Sequence, residues 1–295
     1  RYAPLGQSSQ TYTWDEAREI VTQAYSGFSE EAGEIVERFF DEKWIDAPMV
    51  DGKRNGAFSS GTVPSAHPYI LMNYTGRARD VQTLAHELGH GVHQFVAREQ
   101  GIYHASTPLT TAETASVFGE MLTFQQLLAD QQTDRDRLAL IVSKIDDSMA
   151  TVFRQISMNR FENAIHTARR EEGELSSERF GELWMQTQRA LYGDSVDLTD
   201  GYAVWWSYIP HFLHTPGYVY AYAFGELLVQ SLYARFKEQG ESFAPAYLDV
   251  LRAGGSQPPE ALMDTLGVDL RDPAFWQQGL GEIEALIEKA EALAG

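Results

Sequence analysis

A mostly α fold with a small β-sheet is what this 295-residue sequence predicts, and three observations predict it. Apolar residues recur at three- to four-residue spacing over most of the length, the period of a helix face. Only one run, residues 69–76, has the short apolar character of a strand. Gly, Pro and Ser crowd into a single stretch, residues 46–68, where a loop or hairpin belongs.

Taken in order, the TWDE segment puts the Thr13 hydroxyl three residues before Glu16, a capping box that opens a first helix through Ile20, Val21 and Ala24. Ser29 opens a second helix, to about residue 42. After the loop, YILMNYTG is the strand, ended by Gly76. Asp80 reads as the N-cap of a helix running to Gly101, and another helix covers residues 111–130. Residues 134–172 carry an almost uninterrupted helical pattern through Leu138, Ile141, Ile145, Met149, Phe153, Ile156 and Phe161. Helices over residues 177–191, 218–239, 258–266 and 277–294 complete the chain, with no internal repeat.

Composition narrows the function classes. With 23 Lys and Arg against 42 Asp and Glu, the formal charge of -19 repels nucleic acid and anionic membrane surfaces, so neither is an expected partner. The excess acid reads as a solvated surface, and the oligomeric state is left open. The absence of cysteine removes disulfides, thiolate ligands and a cysteine nucleophile, leaving His, Asp and Glu to bind any metal. No stretch reaches the roughly 20 apolar residues of a membrane helix and no signal-peptide pattern opens the chain, so a cytoplasmic protein is expected. The sequence starts at Arg1 rather than Met, and the expectation is a portion of something longer.

The chemistry concentrates at His86-Glu87-Leu88-Gly89-His90, an HExxH motif. Positions four apart stack on one helix face, so both imidazoles can grip one ion, and Glu87 is set at an angle that suits a general base. A catalytic zinc takes three protein ligands and keeps one position open. Glu113, at the start of the next helix, is the candidate third ligand, provided that helix returns antiparallel to the first. Glu120, two turns further on the same face, is a candidate partner of a ligand imidazole, weighed evenly against a solvated carboxylate. His93 reads as a core residue, and His67, His104 and His166 stand in no motif.

With HELGH, Glu113 in AETAS and the upstream GAFSSG and ILMNYTG, the sequence resembles the oligoendopeptidase F branch of the thimet oligopeptidase family of zinc metallopeptidases over nearly its whole length. The resemblance implies a helical zincin-type catalytic domain over residues 1–295, with one Zn2+ held by His86, His90 and Glu113, the last 27 residues after His86. It also implies a downstream His and Tyr cluster, found here in WWSYIPHFLHTPGYVYAYAFGELL. Tyr222 and His211 are the candidate donors to the oxyanion of a peptide under attack, Tyr218 and His214 candidate substrate contacts, and His214 competes with His211. Family members are about twice this length, their N-terminal helical region forming the other wall of a deep channel. This chain is then expected to be the C-terminal catalytic portion, with a more open cleft.

The expected activity is hydrolysis of internal bonds in short unfolded peptides, with substrate extended along residues 69–74 as along the edge of a sheet. One alternative is a zinc exopeptidase, a carboxypeptidase or dipeptidyl carboxypeptidase, which needs a cation for the terminal carboxylate; Arg154, Arg160 and Arg252 are available. The other is a non-catalytic peptide-binding relative.

Overall fold

The computed structural model describes residues 10–295, in two compact units: residues 10–144 with Leu227–Gly295, and Ile145–Glu226. In the larger unit, helix α1, Trp14–Phe28, opens on the expected capping box. Thr13 Oγ1 accepts from the Glu16 amide at 3.2 Å and the Thr13 amide donates to Glu16 Oε2 at 2.7 Å. Helix α2, Glu30–Asp41, starts at Ser29. Helix α3, Ala78–Ala97, begins two residues before the expected cap. Asp80 is its third residue, reaching back to the Thr75 and Arg77 amides at 2.8 and 3.1 Å. A carboxylate in the first turn satisfies orphan amides from inside the helix as well as a cap does from outside.

Helix α4, Leu109–Asp130, and helix α5, Asp134–Ser148, follow. The helical pattern predicted over residues 134–172 is interrupted by a π-helical turn, Met149–Arg154, before helix α6, Gln155–Glu172. A π turn spends extra residues without breaking the apolar rhythm, so periodicity alone does not reveal it.

Three short strands form the sheet: β1, Ile45–Asp46; β2, Phe58–Ser60; and β3, Tyr69–Leu71, in the order β1-β3-β2. The predicted strand is therefore the central one, parallel to β1 and antiparallel to β2. This overturns the expectation that a substrate pairs along residues 69–74. The amides of Ile70, Met72 and Tyr74 already donate to Trp44, Asp46 and Ala47, and β2 takes the other side of residues 69–71. The two-residue β1 is too short to leave a strand pattern in the sequence. The outer strand, β2, lies inside the stretch read as loop or hairpin, and the Ser59 carbonyl on its outer side accepts from Gln94 Nε2 at 3.5 Å.

In the smaller unit, α6 packs on helix α7, Ser177–Tyr192, around Phe161, Trp184, Ile165 and Met158. A 3-10 segment, Asp200–Tyr208, and a single turn α8, His211–His214, lead to helix α9, Tyr220–Gln239, whose later part belongs to the larger unit.

Helix α10, Phe243–Arg252, lies in a stretch to which the sequence pattern assigns no element, and it contains Pro245. The proline stands in the first turn, where its missing N–H has no partner to lose. Helix α11, Pro259–Asp264, and helix α12, Pro273–Ala294, end the chain; α12 starts four residues early, on an Asp272 cap followed by proline. Phe118 on α4 anchors the core of the larger unit, its ring centroid 4.9 Å from that of Phe28 and 4.6 Å from that of Tyr247. Burying a side chain of this kind contributes about 1.5–3 kcal/mol.

Candidate functional site

Helix α3 carries the HExxH motif on a helix buried on nearly every side, with Val81, Leu84, Leu88 and Val92 facing the core. Two glycines set its distance from α4. A Cβ at Gly89 would lie 2.3 Å from the Ala115 carbonyl oxygen and 2.6 Å from Ser116 Cα. One at Gly119 would lie 1.7 Å from the Tyr25 hydroxyl oxygen and 3.1 Å from the Ala85 carbonyl. Gly89 thus meets residues 115–116 while Gly119 meets residue 85, so the helices run antiparallel, as a third ligand at Glu113 requires. Buried Tyr25 clamps the crossing by donating to the Ala85 carbonyl at 2.7 Å.

At this crossing Glu113 Oε2 lies 3.4 Å from His86 Nε2 and 3.6 Å from His90 Nε2, and the three donor atoms are all within 4.8 Å of one another. Zinc–ligand bonds of about 2.0–2.1 Å arranged tetrahedrally put ligand atoms roughly 3.3 Å apart, so both measured edges and the donor set fit a tetrahedral divalent ion. The Glu113 carboxylate is itself held: Ser116, fully buried, donates its hydroxyl to Oε2 at 2.9 Å. Burial and the neighbouring His86 push His90 down to about 4, which keeps it a neutral ring, and a hydrogen bond to the Ala112 backbone orients it.

Behind His86, Nδ1 faces Glu120 Oε2 at 3.4 Å, and Glu120 Oε1 accepts from Lys144 Nζ at 3.3 Å. Burial alone would raise the Glu120 pKa, yet the Lys144 ammonium and the His86 ring together bring it down to about 2. Glu120 is therefore a paired, ionised carboxylate touching an imidazole rather than a solvated one. Sequence reading did not reach Lys144, Ser116 or the two glycines. Small residues facing each other on consecutive helices, Gly89 with Ala115 and Ala85 with Gly119, were the available signal.

Glu87 turns from this cluster toward the sheet. Because the Ile70 amide donates to Trp44, Tyr69 and Leu71 face β2, and the backbone of Ser59 points outward from the sheet. The Ser59 amide hydrogen-bonds to the Glu87 carboxylate. Glu87 is 6% exposed, its Oε2 has no hydrogen-bond partner among the described residues, and burial raises its pKa against the pull of His86. A buried carboxylate with one oxygen unsatisfied is held ready to accept a proton. The space beside it is lined by Gly56, Ala57, Asn73, Asp80 and Thr83.

In the smaller unit, His211 Nε2 lies 3.2 Å from the Tyr222 hydroxyl. The Tyr218 ring is parallel to His211 within 7° at 5.9 Å and edge-on to Tyr222 at 5.2 Å. The structure thus brings His211, Tyr218 and Tyr222 into one ring cluster and leaves His214 exposed at the end of α8. Buried Glu162 fixes the approach to α9 by accepting from the Gly217 amide at 2.6 Å, at a residue with φ of 79° that favours glycine. His93 is buried, as a core residue should be. Of the arginines considered for a terminal carboxylate, Arg252 pairs with Glu31 and Asp249, Arg154 bonds the Tyr208 hydroxyl, and Arg160 is exposed.

Comparison with known proteins agrees with this geometry. Oligopeptidase PepF of Bacillus subtilis is 31% identical over 98% of this chain and 44% of its own length. Group B oligopeptidase PepB of Streptococcus agalactiae is 32% identical over 98% of this chain and 49% of its own. A crystal structure from Chlamydophila abortus, assigned as a peptidase, superposes with a TM-score of 0.90 at 29% identity, covering 99% of this chain and 49% of that one. The chain spans about half the length of the curated relatives it matches. No described helix is long and apolar enough to cross a membrane. The sequence pattern of peptidase family M3 runs through residues 22–282, across both the HExxH helix and the His and Tyr cluster, and the chain belongs to that family.

Proposed function

We propose that residues 1–295 are the catalytic portion of a longer zinc-dependent oligopeptidase that hydrolyses internal bonds of short, unfolded peptides. The observation that carries this reading is the convergence of His86, His90 and Glu113 on one point beside a buried Glu87 with an unsatisfied oxygen. His86 and His90 would hold the zinc through Nε2 and Glu113 through Oε2; the ion supplies a Lewis acid that acidifies water and polarises a carbonyl.

The chain's own residues supply the rest. Glu87 takes the proton of the attacking water on Oε2 and returns it to the leaving amine, while the Ser59 amide keeps the carboxylate in place. Glu120 fixes the His86 ring, and Lys144 keeps Glu120 ionised. His211 and Tyr222, which share a hydrogen bond, are the proposed donors to the carbonyl oxygen, and Tyr218 stacks beside them as a substrate contact. A peptide would lie extended beside β2, next to Glu87. A cytoplasmic setting belongs to the same proposal.

The test is metal analysis of protein purified without added zinc, together with cleavage of an internally quenched peptide amidated at its C-terminus. One zinc per chain and cleavage abolished by a chelator are expected. Amidation blocks an exopeptidase, so loss of cleavage on amidation alone would reject the endopeptidase reading. Zinc-free protein cutting at full rate would reject the metal.

A further inference from the structure

We propose that the groove just beyond β2 is a peptide subsite in which Arg98 receives a carboxylate of the substrate; this rests on the peptidase reading above. The groove has a volume of about 410 Å³, and Gly61, Thr62, Gln94, Arg98, Ser106 and Thr107 lie along it. It begins at Gly61, just past the end of β2, the strand beside which Glu87 lies. The Ser59 hydroxyl donates to Gln94 Oε1 at 2.8 Å, and Gly61 rests on the Gln94 side chain, where a Cβ would lie 3.3 Å from Cγ. An extended chain advances about 3.3 Å per residue, so a peptide lying beside Ser59 reaches the groove roughly two residues further along.

What the groove offers there is an under-compensated cation. Arg98 Nε donates to the Phe95 carbonyl at 2.9 Å and its guanidinium lies 3.7 Å from the Phe95 ring, but no acidic side chain pairs with it among the described residues. Glu99, the next residue, forms no ion pair with it. Arg38 approaches the same ring at 5.0 Å and adds a second positive charge, its own partner being Glu42. Partial burial and the Arg38 charge both disfavour the protonated guanidinium, against the pull of the Glu99 carboxylate. In a chain of formal charge -19, a partly buried positive spot beside two hydroxyl residues suits a carboxylate, which a guanidinium fork can bind in two-pronged fashion.

The wall opposite is fixed in advance. The Gly255 amide donates to the His104 carbonyl at 2.8 Å, and a Cβ at Gly254 or Gly255 would lie 2.4 Å from His104 O or 2.5 Å from Ser106 O. The segment that bears Ser106 and Thr107 is therefore seated on the turn after α10 by backbone contact. At the other lip, Thr62 is held at φ of 54°, a conformation that β-branched residues rarely adopt, with its hydroxyl on the His67 carbonyl.

The carboxylate has two possible sources in a peptide, its C-terminus or an Asp or Glu side chain, and the experiment separates them. One quenched peptide is prepared as a neutral amide, as the free acid, and as amides with Asp placed at successive positions on both sides of the cleaved bond. The wild-type chain should show a KM roughly tenfold lower for one carboxylate form than for the neutral amide, as a charge-assisted pair at a half-exposed site implies. Arg98→Gln should bring that ratio close to one, and Arg98→Lys, which keeps the charge and loses the fork, should leave an intermediate ratio even if the glutamine variant is unstable. Equal KM values for every form in the wild-type chain, or an unchanged ratio in both variants, would overturn the proposal. If no peptide is cut at all, it is the peptidase reading that fails. Fluorescence anisotropy of the same peptides on Glu87→Gln then still reads the carboxylate preference and decides for or against Arg98.

Discussion

Replacing Gly89 by alanine adds one methyl group where α3 and α4 touch backbone to backbone. The new Cβ would lie 2.3 Å from the Ala115 carbonyl oxygen, whereas ordinary contact begins at 3.4 Å, so α4 must retreat by about 1 Å. Two effects on stability oppose each other. Alanine is a better helix former than glycine by about 1 kcal/mol, and overpacking against a backbone that cannot rotate away costs about 1–3 kcal/mol. The chain without metal is therefore destabilised by roughly 0–2 kcal/mol and still folds. The larger effect falls on the metal, because Glu113 sits two residues before Ala115 and moves with it. Metal sites tolerate about ±0.2 Å in ligand distance, and a 1 Å displacement is several times that. Zinc affinity should fall about 100-fold, equivalent to roughly 2.7 kcal/mol of metal-linked stabilisation at fixed free zinc. The assay is thermal unfolding with a chelator and with buffered zinc, alongside competition against a zinc-binding dye. Wild-type zinc affinity in Gly89→Ala, with an unchanged zinc-induced shift in Tm, would refute the claim that helix spacing at this glycine aims Glu113.

The remaining predictions use the same preparation. Glu87→Gln should keep its zinc and lose about 10²–10⁴ in kcat on a quenched peptide, as loss of a general base implies; near wild-type turnover would remove Glu87 from that role. Lys144→Met leaves Glu120 buried without its ammonium and should cost about 3 kcal/mol in urea unfolding, and a change under 1 kcal/mol would mean that the pair is structurally idle. Tyr222→Phe should lower kcat by about 10²–10³ with little change in KM, since the hydroxyl acts on charge that develops during the reaction; an effect confined to KM would count against it.

The two candidate imidazole ligands were legible in the sequence because a helix fixes what lies four residues apart. His86 and His90 had to share a face, and Glu87 had to point elsewhere. Most helices were legible for the same reason, with Thr13, Ser29 and the apolar period marking where they start and which face they bury. What stayed hidden was set by contacts between segments far apart in the chain. Local periodicity carries no record of which strand is central, so Tyr69–Leu71 read as an edge until β1 and β2 flanked it. Nor does it record that Lys144, 24 residues beyond Glu120, neutralises that carboxylate in the interior.

Sequence alone determined that two imidazoles lie one turn apart on one helix face, since covalent spacing and helix geometry suffice for that, and it offered Glu113 on the next helix as a candidate that the family resemblance supports. Only the tertiary structure decided that the carboxylate reaches them, because that depends on how closely two helices approach, and Gly89 and Gly119 set the approach through the side chains they lack.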